Sequence, residues 1–188
     1  MIRVIETERL ILRPWKESDI EAIIEGFSDF DTAKMLTIPY PYTREDVYSF
    51  LEEREKDDND SFYFAIALKG SDQAIGGTNL RIESNGLNSG GIWIDKKYQG
   101  FGYGTEAWIA RAKFAFFDLG LDELYNGYYI HNEASPKMQM KIGYQIIGET
   151  ERYCPALGEV VKEIRTILTK ENFIRKTGVK GEKTIDKD

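Results

Sequence analysis

The sequence predicts a mixed α/β (α+β) fold, a mainly antiparallel sheet of about seven strands flanked by helices. Two observations carry that expectation: branched apolar runs of strand length recur between turn residues, and helical periodicity appears before and after a central meander of such runs. With 188 residues, 41% hydrophobic and 30% charged, the composition is that of one soluble globular domain. A chain of this size buries roughly 70% of its unfolded surface, so it needs neither a structural metal nor disulfides.

Arg9 to Arg13 reads as a strand stopped by Pro14, with Ser18 expected to cap the amphipathic helix that follows through Ile20, Ile23 and Ile24. After Pro39 and Pro41, Thr43 with Asp46 three residues on predicts a second helix with Val47, Phe50 and Leu51 on its inner face. Phe62–Leu68 and Ala74–Ile82 form a hairpin around Gly70-Ser71-Asp72. Asn85-Gly86 marks a further turn and Ile92–Ile94 a fourth strand. Gly104 to Leu119 is apolar nearly all round, as a helix covered on most sides requires, and Gly120 ends it. Leu121–Ile130 is the fifth strand, and a strand-helix-strand crossover makes it locally parallel to the fourth. A short helix runs from Pro136 to Ile142, with Ser135 at its cap and Gly143 past its end. Strands at Tyr144–Glu149 and Val160–Leu168 complete the sheet, and the Lys-, Thr- and Gly-rich tail 174–188 is expected to be disordered.

Composition excludes several functions. Lys and Arg number 25 against 32 Asp and Glu, a formal net charge of −7 with no basic face, which argues against nucleic acid. No stretch approaches the roughly 18 uninterrupted apolar residues needed to cross a membrane. Cys154 is the only cysteine, so no internal disulfide forms; it is either a small buried residue or a reactive thiol. His131 is the only histidine, which removes histidine-cluster metal sites and leaves a hydrolase triad dependent on that residue. The expectation is a cytoplasmic, untargeted protein without a metal.

The informative segment is Gln99-Gly100-Phe101-Gly102-Tyr103-Gly104-Thr105, between the Trp93 strand and the Trp108 helix. Alternate glycines free backbone N–H groups to converge on one anion, and a helix N-terminus adds unpaired donors, so a diphosphate is the expected guest. The alternative is a tight turn without a ligand. A Walker loop is excluded because Gly104 is followed by Thr105 and Glu106, and a dinucleotide fingerprint fails because its sixth position is Thr105.

Gln99, Gly102 and Gly104 resemble the Gln/Arg-x-x-Gly-x-Gly/Ala pyrophosphate loop of the GNAT superfamily of acyl-CoA-dependent N-acetyltransferases. Thr7-Glu8-Arg9-Leu10-x-Leu12-Arg13-Pro14-Trp15 is similar to the opening of the branch that includes ribosomal-protein N-terminal (alanine/serine) acetyltransferases. Asn132-x-x-Ser135 followed by Ile142-Gly143-Tyr144 resembles that branch's second motif. The resemblance implies a single acyl-CoA N-acyltransferase domain over residues 1–173, with the fourth and fifth strands splayed and pantetheine in the gap against Ile92, Trp93 and Ile94. It implies acetyl-CoA as co-substrate, bound by Gln99, Gly100, Phe101, Gly102, Tyr103, Gly104 and Thr105, with Asn132 and Ser135 on the pantetheine side. An N–H near Ile94 would polarise the thioester carbonyl. The implied acceptor is a primary amine, a peptide N-terminus or a small amine such as a polyamine or aminoglycoside, and the chain a monomer or homodimer.

Two positions depart from the family pattern. The glutamate that many relatives carry early in the fourth strand falls on Ser89, with Glu83 a weak substitute. The tyrosine acid of many relatives falls on Gln139, and the branch resembled assigns that role to the serine that is Ser135 here, which could equally be a helix cap. His131 is either a base or structural. Tyr125, Tyr128 and Tyr129 read as sheet packing, and Trp15, Phe27, Tyr40 and Tyr42 as core or acceptor-pocket residues. The departures at Ser89 and Gln139 keep open a non-catalytic acyl-CoA-binding module.

Overall fold

The computed structural model describes residues 3–55 and 61–181. Elements follow the order β1 (Ile5–Glu6), β2 (Leu10–Arg13), α1 (Ile20–Phe27), α2 (Phe30–Ala33), α3 (Arg44–Glu55), β3 (Ser61–Leu68), β4 (Ala74–Arg81) and β5 (Ile92–Ile94). Then come α4 (Tyr103–Lys113), β6 (Glu123–Tyr129), α5 (Ala134–Ile142), β7 (Gln145–Cys154), β8 (Glu159–Thr169) and α6 (Lys170–Thr177). The strands β1-β2-β3-β4-β5 form one antiparallel sheet and β6-β8-β7 another. The two-residue β1 precedes the seven strands expected; the expected fourth and fifth are β5 and β6.

Each sheet face has its own cover. Leu10, Leu12, Phe64, Ile66 and Ile75 pack against Trp108, Ala112 and Phe116 from α4 and its extension. On the opposite face Ile20, Ile23, Phe27 and Val47 pack with Trp15, Phe50 and Trp93. Past Lys113, α4 widens into a π turn, where the Leu119 N–H reaches back to the Phe114 carbonyl (3.1 Å), and Gly120 ends it at φ 73°. Thr43 caps α3 as expected: Thr43 N–H donates to Asp46 Oδ2 (2.7 Å) and Asp46 N–H to Thr43 Oγ1 (3.2 Å).

Two expectations are corrected. Ser18 is exposed in a short turn, Glu17–Asp19, and caps nothing; its neighbour Asp19 turns inward instead. Arg13 is buried in β2 and donates to both Asp19 oxygens (2.7 and 3.0 Å), while Asp19 also accepts the Lys16 N–H (2.9 Å). A buried guanidinium requires a paired carboxylate, and that requirement outweighs the local cap. Nor does order stop at Phe173. α6 continues to Thr177, Phe173 is wholly buried against Phe116 (5.4 Å between rings), and Val179 packs on the core. Residues 182–188 of the expected tail lie outside the described residues.

Phe173→Ala should lower the unfolding free energy in urea by about 3–5 kcal/mol, the cost of an unfilled aromatic site. A change within about 0.5 kcal/mol, the habit of surface positions, would mean that α6 does not dock.

Candidate active site

β5 pairs with β4 along one edge alone. Trp93 opposes Gly77, the Asn79 N–H donates to Gly91 O (3.1 Å), and the Asp95 N–H donates to Ile75 O (2.9 Å). Antiparallel alternation therefore turns the N–H and C=O groups of Ile92 and Ile94 away from β4. The strand that could receive them, β6, has one backbone bridge to this sheet among the described residues, Ser89 to Tyr125, where the Tyr125 N–H donates to Asn88 O (2.7 Å). Beyond that bridge the two strands diverge, as the expected splay required. The Ile94 carbonyl accepts from Gln99 Nε2 (2.8 Å), so of the two outward groups of Ile94 the N–H is left without a partner among the described residues.

Packing fixes β5 from both sides. A β-carbon on Gly77 would sit 2.5 Å from the Trp15 ring, because Trp15 and Trp93 stack at 6.3 Å with planes 5° apart. Ile94 buries its side chain on the α4 side. At the apex Arg111, wholly buried in α4, donates to Asn79 O and Gly91 O (3.0 Å each); the first lacks its ladder donor because the Gly91 N–H goes to Asn79 Oδ1 (2.8 Å) instead, and the second also accepts the Asn79 N–H. Burial pushes its guanidinium below the usual arginine value.

Gly100 and Gly102 adopt φ 83° and 84°, which side chains resist, and Gly102 occupies the position before α4. The Glu106 N–H bonds Gly102 O (3.0 Å), leaving the N–H groups of Tyr103, Gly104 and Thr105 at the free end of the helix. A β-carbon on Gly104 would come 3.1 Å from Met138 Sδ, so that glycine admits α5. The turn is held from behind by the N-terminal motif. Glu106 accepts from Thr7 Oγ1 (2.6 Å), Arg9 N–H (2.9 Å) and Arg9 Nε (2.7 Å), while Arg9 Nη1 donates to Phe101 O (3.0 Å). Burial raises the Glu106 carboxyl, but these donors together outweigh it and hold it below the usual glutamate range.

The third wall is the β6–α5 corner. Asn132 Oδ1 accepts the Ser135 N–H (3.0 Å) and so does the capping expected of Ser135, which lies one residue inside α5. Ser135 Oγ accepts from Gln139 Nε2 (3.0 Å), and Gln139 Oε1 accepts from Thr166 Oγ1 (2.5 Å), with Gln139 and Thr166 wholly buried. The chain of bonds fixes the Ser135 oxygen and leaves its proton, like the Asn132 Nδ2 protons, without an acceptor among the described residues.

Ile92, Trp93, Ile94, Gln99, Gly100, Gly102, Tyr103, Gly104, Thr105, Asn132 and Ser135 all line one cavity of about 1070 Å³. Phe101 does not: its ring is 63% exposed and its carbonyl faces Arg9. The unpaired strand edge, free helix N–H groups and free Asn132 amide suit a long carrier with a diphosphate and amide groups. Residues 9–145 match the model of the acetyltransferase (GNAT) domain. The chain belongs to the GNAT acetyltransferase family.

An N-acetyltransferase from Bacillus licheniformis, p20, of uncharacterised role, is 24% identical over 173 residues, 89% of this chain and 96% of that protein. The spermidine N-acetyltransferase from Vibrio cholerae, crystallised with CoA and spermine, superposes at TM-score 0.77 with 15% identity, over 89% of this chain and 99% of that one. RimL, a ribosomal L7/L12 alpha-N-protein acetyltransferase, superposes at TM-score 0.76 with 17% identity over 90% of this chain and 95% of that one. These structures share the GNAT fold with this chain.

As a GNAT enzyme the chain departs from the family pattern at Ser89 and Gln139. Ser89 stands at the closed end of the splay, 3.5 Å from exposed Glu83 and 3.5 Å from Arg81. His131 Nε2 bonds the Lys34 carbonyl (2.8 Å) and its ring stacks on Tyr129 (5.5 Å). Cys154 is buried against the same carbonyl (3.5 Å). Trp15, Phe27 and Tyr42 belong to the core around Trp93, and Tyr40 lies exposed on Phe30. Sequence reading missed the Thr7–Arg9–Glu106 clamp, for which Glu106 in the first turn of α4 was the available signal, and missed Glu163, a buried carboxylate in the cavity wall paired with Arg152 Nη1 (3.1 Å).

Because Glu106 is held below the ordinary glutamate value of about 4.3, its contribution to stability is complete above that value and vanishes as pH falls through the lower folded value. The unfolding free-energy gap between wild type and Glu106→Gln, measured in urea, should therefore shrink on acidification. A gap constant down to about pH 2 would dismiss the clamp.

Proposed function

We propose that the chain moves the acetyl group of acetyl-CoA to a primary amine, that of a protein N-terminus, by direct attack in a ternary complex in the cytoplasm. The observation that carries this reading is that the unpaired β5 edge, the glycine turn and the Asn132–Ser135 corner open onto a single cavity. Acetyl-CoA supplies an acyl group activated as a thioester. The N–H groups of Tyr103, Gly104 and Thr105 at the start of α4, with the glycine turn at Gly100 and Gly102, bind its diphosphate, and Ile92 with the Asn132 amide takes the pantetheine arm. The Ile94 N–H points where the carbonyl oxygen gathers charge, a contribution worth about 3 kcal/mol to the barrier. Ser135, whose oxygen is oriented by Gln139, gives its proton to the departing sulfur.

The charge of the cavity wall favours a peptide over a polyamine. Arg81, Lys96, Arg152 and Arg165 stand among its five carboxylates, so a polycation meets cationic side chains there despite the net acidity of the chain. A peptide N-terminus presents one ammonium followed by carbonyl and acidic groups. A second reading, an acyl-CoA-binding module without turnover, is favoured by Ser89 and Gln139 alone.

Calorimetric titration with acetyl-CoA should detect binding, weakened about tenfold or more, roughly 1.4 kcal/mol, by Gly102→Val. Ser135→Ala should keep that affinity and lower kcat by about 10²–10⁴-fold, the range for a lost proton donor. Thiol release should be faster with N-terminal peptides than with spermidine. Binding with no thiol release for any amine would establish the non-catalytic module instead, and unchanged turnover in Ser135→Ala would remove Ser135 from the chemistry.

A further inference from the structure

The reaction needs a group to take the proton of the incoming ammonium, and Ser89 cannot. We propose that Glu163 is that base, an inference that rests on the acetyl-transfer reading of the same cavity. Five carboxylates line the cavity: Asp29, Asp31, Glu83, Glu133 and Glu163. Asp29 caps α2 through Thr32 N–H (3.1 Å), and Asp31 pairs with Lys34 (2.7 Å). Glu83 and Glu133 are exposed. Glu163 alone is buried, at 6% exposure.

Its position is built by the strand register. β8 lies between β6 and β7, with Tyr129 opposite Glu163 and Gly127 opposite Arg165. A β-carbon on Gly127 would fall 2.7 Å from Glu163 Cδ and Oε1, so the carboxylate lies in the space a side chain would have filled on β6. β6 is one wall of the splay, and Asn126, Gly127 and Tyr128 line the cavity with it. Glu163 Oε1 receives Arg152 Nη1 (3.1 Å) from β7, a guanidinium itself 48% exposed. Oε2 has no donor among the described residues. The other charged or titratable neighbours are Arg165 on the same face of β8 and Tyr129 on β6, whose hydroxyl donates to Tyr153 O (3.0 Å) and whose burial raises it above the usual tyrosine value. A carboxylate with one committed oxygen and one free oxygen, buried yet facing the reacting cavity, suits proton abstraction directly or through one water.

The proton balance closes. The ammonium gives one proton to Glu163 and becomes a neutral amine. Its lone pair forms the C–N bond to the thioester carbon, and the C–S bond breaks with its electron pair on sulfur. The second N–H proton reaches sulfur with the Ser135 hydroxyl as carrier, and Glu163 returns its proton to water.

Glu163→Gln keeps the acceptor for Arg152 and removes the base. Thiol release from acetyl-CoA with an N-terminal peptide should fall about 10²-fold or more at pH 6.5, where an α-amine of pKa about 8 is mostly protonated. At about pH 9.5, where the amine is already neutral, the variant should return to within a few-fold of wild type, with acetyl-CoA affinity by calorimetry unchanged throughout. Glu163→Asp, which keeps a withdrawn carboxylate, should show the same pH-dependent deficit at smaller size, and it carries the test should the Gln variant not fold. Equal rates for wild type and variants, or a deficit of the same size at both pH values, would overturn the assignment while leaving acetyl transfer standing. Wild type that binds acetyl-CoA and releases no thiol would overturn both.

Discussion

The segment leading into β5 meets β6 at one backbone bridge, Ser89 to Tyr125, after which the two strands part, and the rest of the molecule is arranged around that missing ladder. An unpaired strand edge inside a fold exposes donors and acceptors that a continuous sheet would have satisfied. Here they are partly compensated from within: Gln99 takes the outward carbonyl of Ile94, while Arg111 takes the carbonyl of Asn79 where the β4–β5 ladder ends. What stays unpaired faces the cavity. The Trp15–Trp93 stack on one face and Ile94 against α4 on the other hold β5 in place, so the gap is a rigid feature of the packing.

The second sheet supplies the opposite wall and works with both faces of β8. On one face Thr166 holds Gln139, which holds the Ser135 oxygen under α5. On the other, Glu163 and Arg165 face the cavity. One strand thus orients a hydroxyl and presents a carboxylate on opposite sides of β6, a consequence of the two-residue period of side chains along a strand. The N-terminal segment has an equally physical part. Thr7 and Arg9 brace Glu106 at the start of α4, and Arg13 with Asp19 anchors the turn into α1.

Features set by local chemistry were legible in the sequence. The glycine turn, the short β5, the long apolar α4 and the Asn132–Ser135 corner follow from backbone freedom, periodicity and capping, and the structure brings them together, Phe101 excepted. Features set by pairing between distant strands were not. Glu163 reads as one more charge in an alternating strand until the register places it near Gly127. Ser18 and Ser135 both looked like helix caps, but Asp19 was claimed by a buried arginine and Asn132 reached the α5 N–H first. Phe173 carried the signal for α6, yet a single aromatic among Lys, Glu and Arg does not outweigh a polar window without the core it meets.

The central claim is that the outward edge of β5 is the docking edge for the carrier arm. Amide hydrogen exchange resolved at Ile92 and Ile94, with and without CoA, tests it most directly. The account predicts rapid exchange at both amides in the free protein and strong protection once CoA is bound. Amides already protected without CoA, or still exchanging freely in a saturated complex, would contradict it.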